Sequence, residues 1–271
     1  MTGIEAGDTT AMRAGGTTGT RAGGTTGTRA GDTVGSGASG TTATQASEVT
    51  GGRKRPQVVS EQEWQAARAA LLAKEKELTR ALDALAAERR RLPMVRLEAG
   101  RYAFTGPDGS RASLADLFAG HRQLVIYHFM LEPGQDWVCG GCATFTDNLD
   151  NQCQPHLNAR DTRLILMARA PQPEIEVLRQ RFGWTVPWYS SYGTTFNDDM
   201  GLTAFGLSVL LRDGDEIFRS YFTTARGVDR LRLDFNLLDL TPYGRGERWE
   251  DSPDGWPQDQ TMSWLRLRDE Y

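Results

Sequence analysis

The run Gln123-Leu-Val-Ile-Tyr-His-Phe-Met130 is almost continuously apolar. Apolar residues that do not alternate with polar ones cannot share a strand between core and solvent, so this segment reads as a strand buried on both faces. Such a strand needs strands along both edges and helices above and below. The sequence supplies them. Thr162 to Ala168 is a second buried strand, followed by a helix from Pro173 to Phe182 and a short strand around Trp188 to Ser191. Leu207 to Leu211 and Glu216 to Thr223 form a hairpin about Arg212-Asp-Gly-Asp215, and Val228 to Leu238 makes a last helix. Ahead of the central run, Met94 to Leu97 and Tyr102 to Phe104 are short strands, with a turn at Gly106-Pro-Asp-Gly109 and a short helix from Ser113 to Phe118. This order calls for an α/β domain, a mixed sheet covered by helices, over residues 93–271.

The first part of the chain has a different character. RAGGTTGT occurs from Arg13 and again from Arg21, and a degraded copy, RAGDTVGS, follows from Arg29. No aromatic residue precedes Trp64, and these octads hold almost nothing that burial could use to offset the entropy of ordering. Residues 1–57 are therefore expected to be a disordered extension, with Arg53-Lys54-Arg55 as a small basic cluster at its end. At Ser60 the pattern changes, because Ser60 and Glu63 form a capping box and no Gly or Pro follows until Pro93. Residues 58–92 thus predict a long helix, from about Glu61 to Arg91. Trp64, Leu71, Leu78, Leu85 and Leu92 recur every seven residues, with Ala67 and Leu82 beside them, so one face is apolar. Lys74 and Glu88 interrupt the neighbouring column, which favours packing on the chain's own domain over a homodimer seam.

Composition narrows the function classes. A formal net charge of -4 gives no basic excess for nucleic acid, and no run of some eighteen apolar residues could span a bilayer. With no apolar core behind a basic start, a cytoplasmic location is expected. Three cysteines are too few for a disulfide scaffold.

Two of those cysteines sit where chemistry is plausible. Cys139-Gly-Gly-Cys142 follows the central strand through the loop Leu131 to Val138 and precedes a stretch, Ala143 to Gln152, that reads as a helix. Unpaired N–H groups at a helix start stabilise a thiolate, so Cys139 is the candidate nucleophile and Cys142 the resolving thiol of a thiol–disulfide exchange. Glu132 and Asp136, in the loop just before the dithiol, are candidate acceptors for the proton that Cys142 must lose. No phosphate loop, dinucleotide fingerprint or serine–histidine–acid set occurs, so no cofactor is implied. Electrons would come from a protein or small-molecule thiol.

The helix VSEQEWQAARAALLAKEKELTRALDALAAERRRLP, the strand QLVIYHFM, the cysteine loop, HLNARDTRL, PWYSSYGTTFNDD, FRSYFTTARGVD and LDLTPYGR together resemble the bacterial family catalogued as domain of unknown function 899. The resemblance covers residues 57–271 and implies a thioredoxin-like fold with a dithiol–disulfide oxidoreductase activity. Two departures stand out. Thioredoxins place a cis-proline before the hairpin strand, opposite the dithiol, whereas no proline lies between Pro187 and Pro242 here. The family also tends to carry a histidine before its terminal Asp-Glu-Tyr, where this chain has Arg268, which removes any acid–base role for that position.

Three other readings compete. Cys139, Cys142, Cys153 and His156 have spacings close to those of a four-coordinate zinc or cluster site. A peroxidase of the peroxiredoxin kind would share the fold, but Asp136 stands three residues before Cys139, where a hydroxyl is required, and an anion there raises a thiol pKa. A non-enzymatic module would use the Trp64 helix as its binding surface. His128, inside the central strand, reads as a core histidine, and His156 as a turn cap or orienting group. Trp184, Trp188, Tyr189 and Tyr192 read as packing along the sheet edge.

Overall fold

A computed structural model describes residues 55–149 and 153–271. The disordered extension expected over residues 1–57 lies outside them, except for its last three residues.

Helix α1, Glu61–Arg89, opens with the anticipated capping box: the Glu63 amide donates to Ser60 Oγ at 3.3 Å, and the Ser60 amide donates to Glu63 Oε2 at 2.9 Å. Its apolar face does not lie against the domain, contrary to the expectation from sequence. No residue of α1 is buried, and Trp64 and Leu78 remain 51% and 60% exposed. The physical reason is direction, since the helix touches the sheet at its end, where the Arg89 guanidinium sits 4.8 Å from the centre of the Tyr221 ring.

The sheet comprises β1 (Val95–Leu97), β2 (Ala103–Thr105), β3 (Arg111–Ser113), β4 (Gln123–His128), β5 (Thr162–Ala168), β6 (Trp188–Ser190), β7 (Gly206–Asp213) and β8 (Glu216–Thr223). Its order is β1-β8-β7-β4-β5-β6-β2-β3. β4 runs parallel to β5 and antiparallel to β7, with Ile126 facing Ile165 on one side and Ser208 on the other. A parallel pair joined by a helical crossover, extended by an antiparallel hairpin and closed by a helix, is the thioredoxin-like arrangement. The sequence does not predict β3, whose last residue, Ser113, opens the short helix expected to Phe118. The expected turn, with Gly106 and Gly109, closes a hairpin from β2 into β3, and the carboxylate of Asp116, the first residue of a short 3-10 turn, accepts from the Ser113 amide.

β4 is central, and both of its faces are buried. Leu124 and Ile126 join Phe118, Phe104, Met167 and Phe196 on one side. Tyr127 and Phe129 join Leu166, Trp184, Trp188 and Phe145 on the other. That two-sided burial is what an uninterrupted apolar run provides. On the second side the cover is α2 (Gly140–Asn148) and α4 (Gln172–Phe182), while α3 (Gln154–Asn158) leads into β5. α5 (Phe196–Asp199) lies before β7 and contributes Phe196 to the first side. The last helix is broken: a 3-10 stretch, Ala225–Leu231, is separated from α6 (Leu233–Leu238) by Arg232 in an extended conformation. Of the four aromatics read as packing, Trp184, Trp188 and Tyr189 are buried, and Tyr192 is exposed.

Leu124 is wholly buried in the middle of the sheet. Leu124→Ala should therefore destabilise the domain by about 2–5 kcal/mol, read from urea denaturation followed by tryptophan fluorescence, and a loss under about 1 kcal/mol would contradict this packing.

Candidate functional site

β4 delivers the chain through the loop after His128 to Cys139, which is the N-cap residue of α2. Its extended conformation aims the side chain back over the first turn, where Cys139 Sγ accepts from the Cys142 amide at 3.4 Å. α2 is seated on β4 by its inner face: Cys142, Ala143 and Phe145 are buried, and the Phe145 ring stacks on Tyr127 with centroids 4.0 Å apart. The stack fixes where the first turn of α2 falls, and hence where both sulfurs lie.

The two thiols are electrostatically unlike. Cys139 is brought down from 9.0 to about 7, chiefly by the hydrogen bond from the Cys142 side chain, against the opposing effect of burial. The backbone at Cys142 and Gly141 and the charge of Arg232 act in the same direction. Cys142 is held well above the usual thiol range, first by burial and then by its bond and repulsion with Cys139. The Tyr127 hydroxyl and the Met130 backbone pull weakly the other way. Both cysteines are present as thiols.

Arg232 was not singled out from the sequence. The break between the 3-10 stretch and α6 turns its guanidinium inward, with only 4% of the side chain exposed, over the Phe235 ring and paired to Asp234 at 2.5 Å. The signal was weak, because an arginine in a predicted amphipathic helix ordinarily faces solvent.

The C-terminal segment forms one side of the site. A β-carbon placed on Gly140 would lie 3.5 Å from the Leu265 carbonyl oxygen, so any side chain longer than a methyl would press on this segment. Leu267 enters the same core cluster as Cys142. Arg268 reaches Asp147 of α2 at 2.9 Å and the Phe182 carbonyl, and Arg181 of α4 holds Asp269 at 2.8 Å. Further back, the buried Glu247 carboxylate accepts from the Met262 amide and from the indoles of Trp249 and Trp264. Arg268 therefore serves as a clamp between α2 and α4. Between this segment and the loop before the dithiol lies a cavity of about 320 Å³, bordered by Asp136, Trp137, Val138, Arg181, Arg266 and Glu270 among others.

The remaining sequence candidates are dispersed. Glu132 lies 3.5 Å from Arg169, and Asp136 borders the cavity; the groups acting on the Cys142 thiol are Cys139, Tyr127 and Met130 instead. The four-ligand metal reading is not met. Among the described residues no three or more His, Cys, Asp or Glu side chains converge on a point that could hold an ion. Cys139 caps the start of α2, whereas Cys153 follows its end with its Sγ 3.6 Å from the Leu149 carbonyl, and nine helical residues span about 14 Å. His156 lies in the last turn of α3. His128 is a core residue: fully buried, 2.9 Å from Ser208 Oγ, and kept neutral by burial with its pKa lowered to about 3.

Residues 53–271 match the model of a family described as Bacterial protein of unknown function, DUF899. The chain belongs to this family. Among curated proteins none matches it. Solved structures with partial likeness include a thioredoxin from Wuchereria bancrofti, at 16% identity over 45% of this chain and 83% of that one, with a TM-score of 0.33. A cysteine-to-serine mutant of PrxQ from Xylella fastidiosa is 11% identical over 54% and 94%, with a TM-score of 0.35. The exposed lipoprotein thioredoxin Etrx1 of Streptococcus pneumoniae is 10% identical over 46% and 88%, with a TM-score of 0.36. Among the described residues of this DUF899 protein no helix is long and apolar enough to cross a membrane.

The two thiols should separate on titration. Alkylation of Cys139 by iodoacetamide, followed by peptide mass spectrometry, should rise through a midpoint near 7 and level off above it, with Cys142 unmodified over the same range. Because the Cys142 side chain is the largest influence, Cys142→Ala should move that midpoint up toward the ordinary thiol value. An unchanged midpoint would show that the hydrogen bond does not govern it.

Proposed function

We propose that this chain is a thiol–disulfide oxidoreductase in which Cys139 is the nucleophile and Cys142 the resolving thiol. The observation that carries the reading is the Cys139 sulfur at the N-cap of α2, accepting the Cys142 amide, with one thiol lowered to about 7 and its neighbour raised. At pH 7 such a thiol is about half ionised, against about 1% for one titrating at 9. The less basic thiolate is also a poorer nucleophile by roughly tenfold over two pKa units, so the net gain in attack rate is about fivefold. The same low pKa makes Cys139 the better leaving group in the reverse exchange, when a reductant thiol attacks the sulfur bonded to Cys139 and releases its thiolate.

In the reaction so assigned, the Cys139 thiolate attacks one sulfur of a substrate disulfide. A mixed disulfide forms, and the other substrate sulfur leaves as a thiolate. Cys142 loses its proton and attacks Cys139 Sγ, which expels the second substrate thiolate and leaves a Cys139–Cys142 disulfide. The substrate gains two electrons and the protein loses two. Two reductant thiols, on a protein or on small molecules, restore the dithiol by the reverse exchange and leave as a disulfide. Burial first, and then the bond to and the charge of Cys139, keep Cys142 protonated, and the mixed disulfide removes that charge. Tyr127, bonded to the Cys142 thiol, is the group placed to hold it in line during that step.

The test is turnover of bis(2-hydroxyethyl) disulfide with dithiothreitol as reductant. Cys139→Ser should reduce the rate to background. With the disulfide alone and no reductant, Cys142→Ser should leave the first attack intact and accumulate a mixed disulfide on Cys139, visible as an added mass that dithiothreitol then removes. Turnover by Cys139→Ser at the rate of the unaltered chain would end this reading.

A further inference from the structure

The face of α1 carries an apolar column that the described residues leave uncovered. Trp64, Leu71, Leu78 and Leu85 stand on it one heptad apart, each between 44% and 60% exposed. Helix α1 is 29 residues long, or about 43 Å, and its first turn is locked by a capping box rather than by packing. A strip of that length and about 10–12 Å wide is roughly 430–520 Å², more than half of the about 800 Å² that each partner buries in a stable complex. A strict seven-residue apolar column is the pattern that a second helix, crossing at a small angle, covers best.

Charge decides which second helix. The column beside the leucines reads Ala67, Lys74, Ala81 and Glu88. Two copies paired parallel and in register would set Lys74 against Lys74 and Glu88 against Glu88 at the seam. Paired antiparallel about an axis between Leu78 and Ala81, each Leu78 meets Ala81 of the other copy. Lys74 of one copy then falls one layer from Glu88 of the other, twice by symmetry. The small alanines let the helices approach, and the two residues that break the column become partners. We infer that α1 forms an antiparallel two-helix seam with a second copy of this chain. The inference is independent of the dithiol chemistry.

Sedimentation equilibrium on the full chain at micromolar concentration should return twice the 29.9 kDa chain mass. Leu78→Glu, at a site that makes no contribution to the domain core, should give the monomer with unchanged Cys139 alkylation. Lys74→Glu and Glu88→Lys should each weaken the dimer about tenfold, because each sets like charges side by side, and the double variant should recover to within about threefold of the original. A monomeric unaltered chain, or a dimer indifferent to Leu78→Glu, would overturn the inference. Additive weakening in the charge-swapped double variant would overturn the antiparallel arrangement.

Discussion

The Cys142 amide pointing at the Cys139 sulfur is a local contact whose position depends on most of the domain. A helix start supplies N–H groups to whatever residue precedes it, and this chain puts a cysteine there. For that to hold, α2 must begin at one particular residue and lie at one particular height above the sheet. The height is set by Phe145 on Tyr127, one ring from the helix and one from the strand that leads into it. Tyr127 in turn is fixed because β4 is paired on both edges, to β5 and β7, over its whole length. The chemistry of one thiol thus rests on the register of three strands.

The C-terminal segment completes the enclosure from the other side. It is held by charge and hydrogen bonding as well as by a hydrophobic residue: Glu247 gathers three N–H donors, Arg268 spans α2 and α4, and Leu267 fills the gap beneath. A buried carboxylate is costly unless its oxygens are satisfied, and here both accept. A β-carbon on Gly140 would stand at ordinary contact distance from the Leu265 carbonyl. Leu265 and Leu267 are brought against the start of α2.

Much of this was legible in the sequence, and the failures have identifiable causes. The continuous apolar run of β4, the paired strand β5, the hairpin β7–β8 and the cap of α1 could be read because each expresses its physics within a few residues. β3 was lost because three residues carry no periodicity, and the adjoining serine and aspartate resemble a helix start. The break at Arg232 was hidden because only tertiary pairing to Asp234 and Phe235 turns that side chain inward. The place of Arg268 was noticed, but not its use as a clamp, since both its partners lie more than eighty residues away. The packing expected of α1 failed for a simpler reason: an apolar stripe states that a surface will be covered and leaves open by what.

His128 carries a cost that none of the redox chemistry involves. Its imidazole sits uncharged in the middle of the central strand, with a pKa near 3, where an unfolded chain would protonate it near 6.5. Between those values the unfolded chain binds a proton that the native one refuses. Its contribution to stability is complete above 6.5 and is withdrawn on acidification, by up to about 1.4 kcal/mol for each pH unit. The strand that aligns the dithiol therefore also carries a group through which acid lowers the stability of the fold.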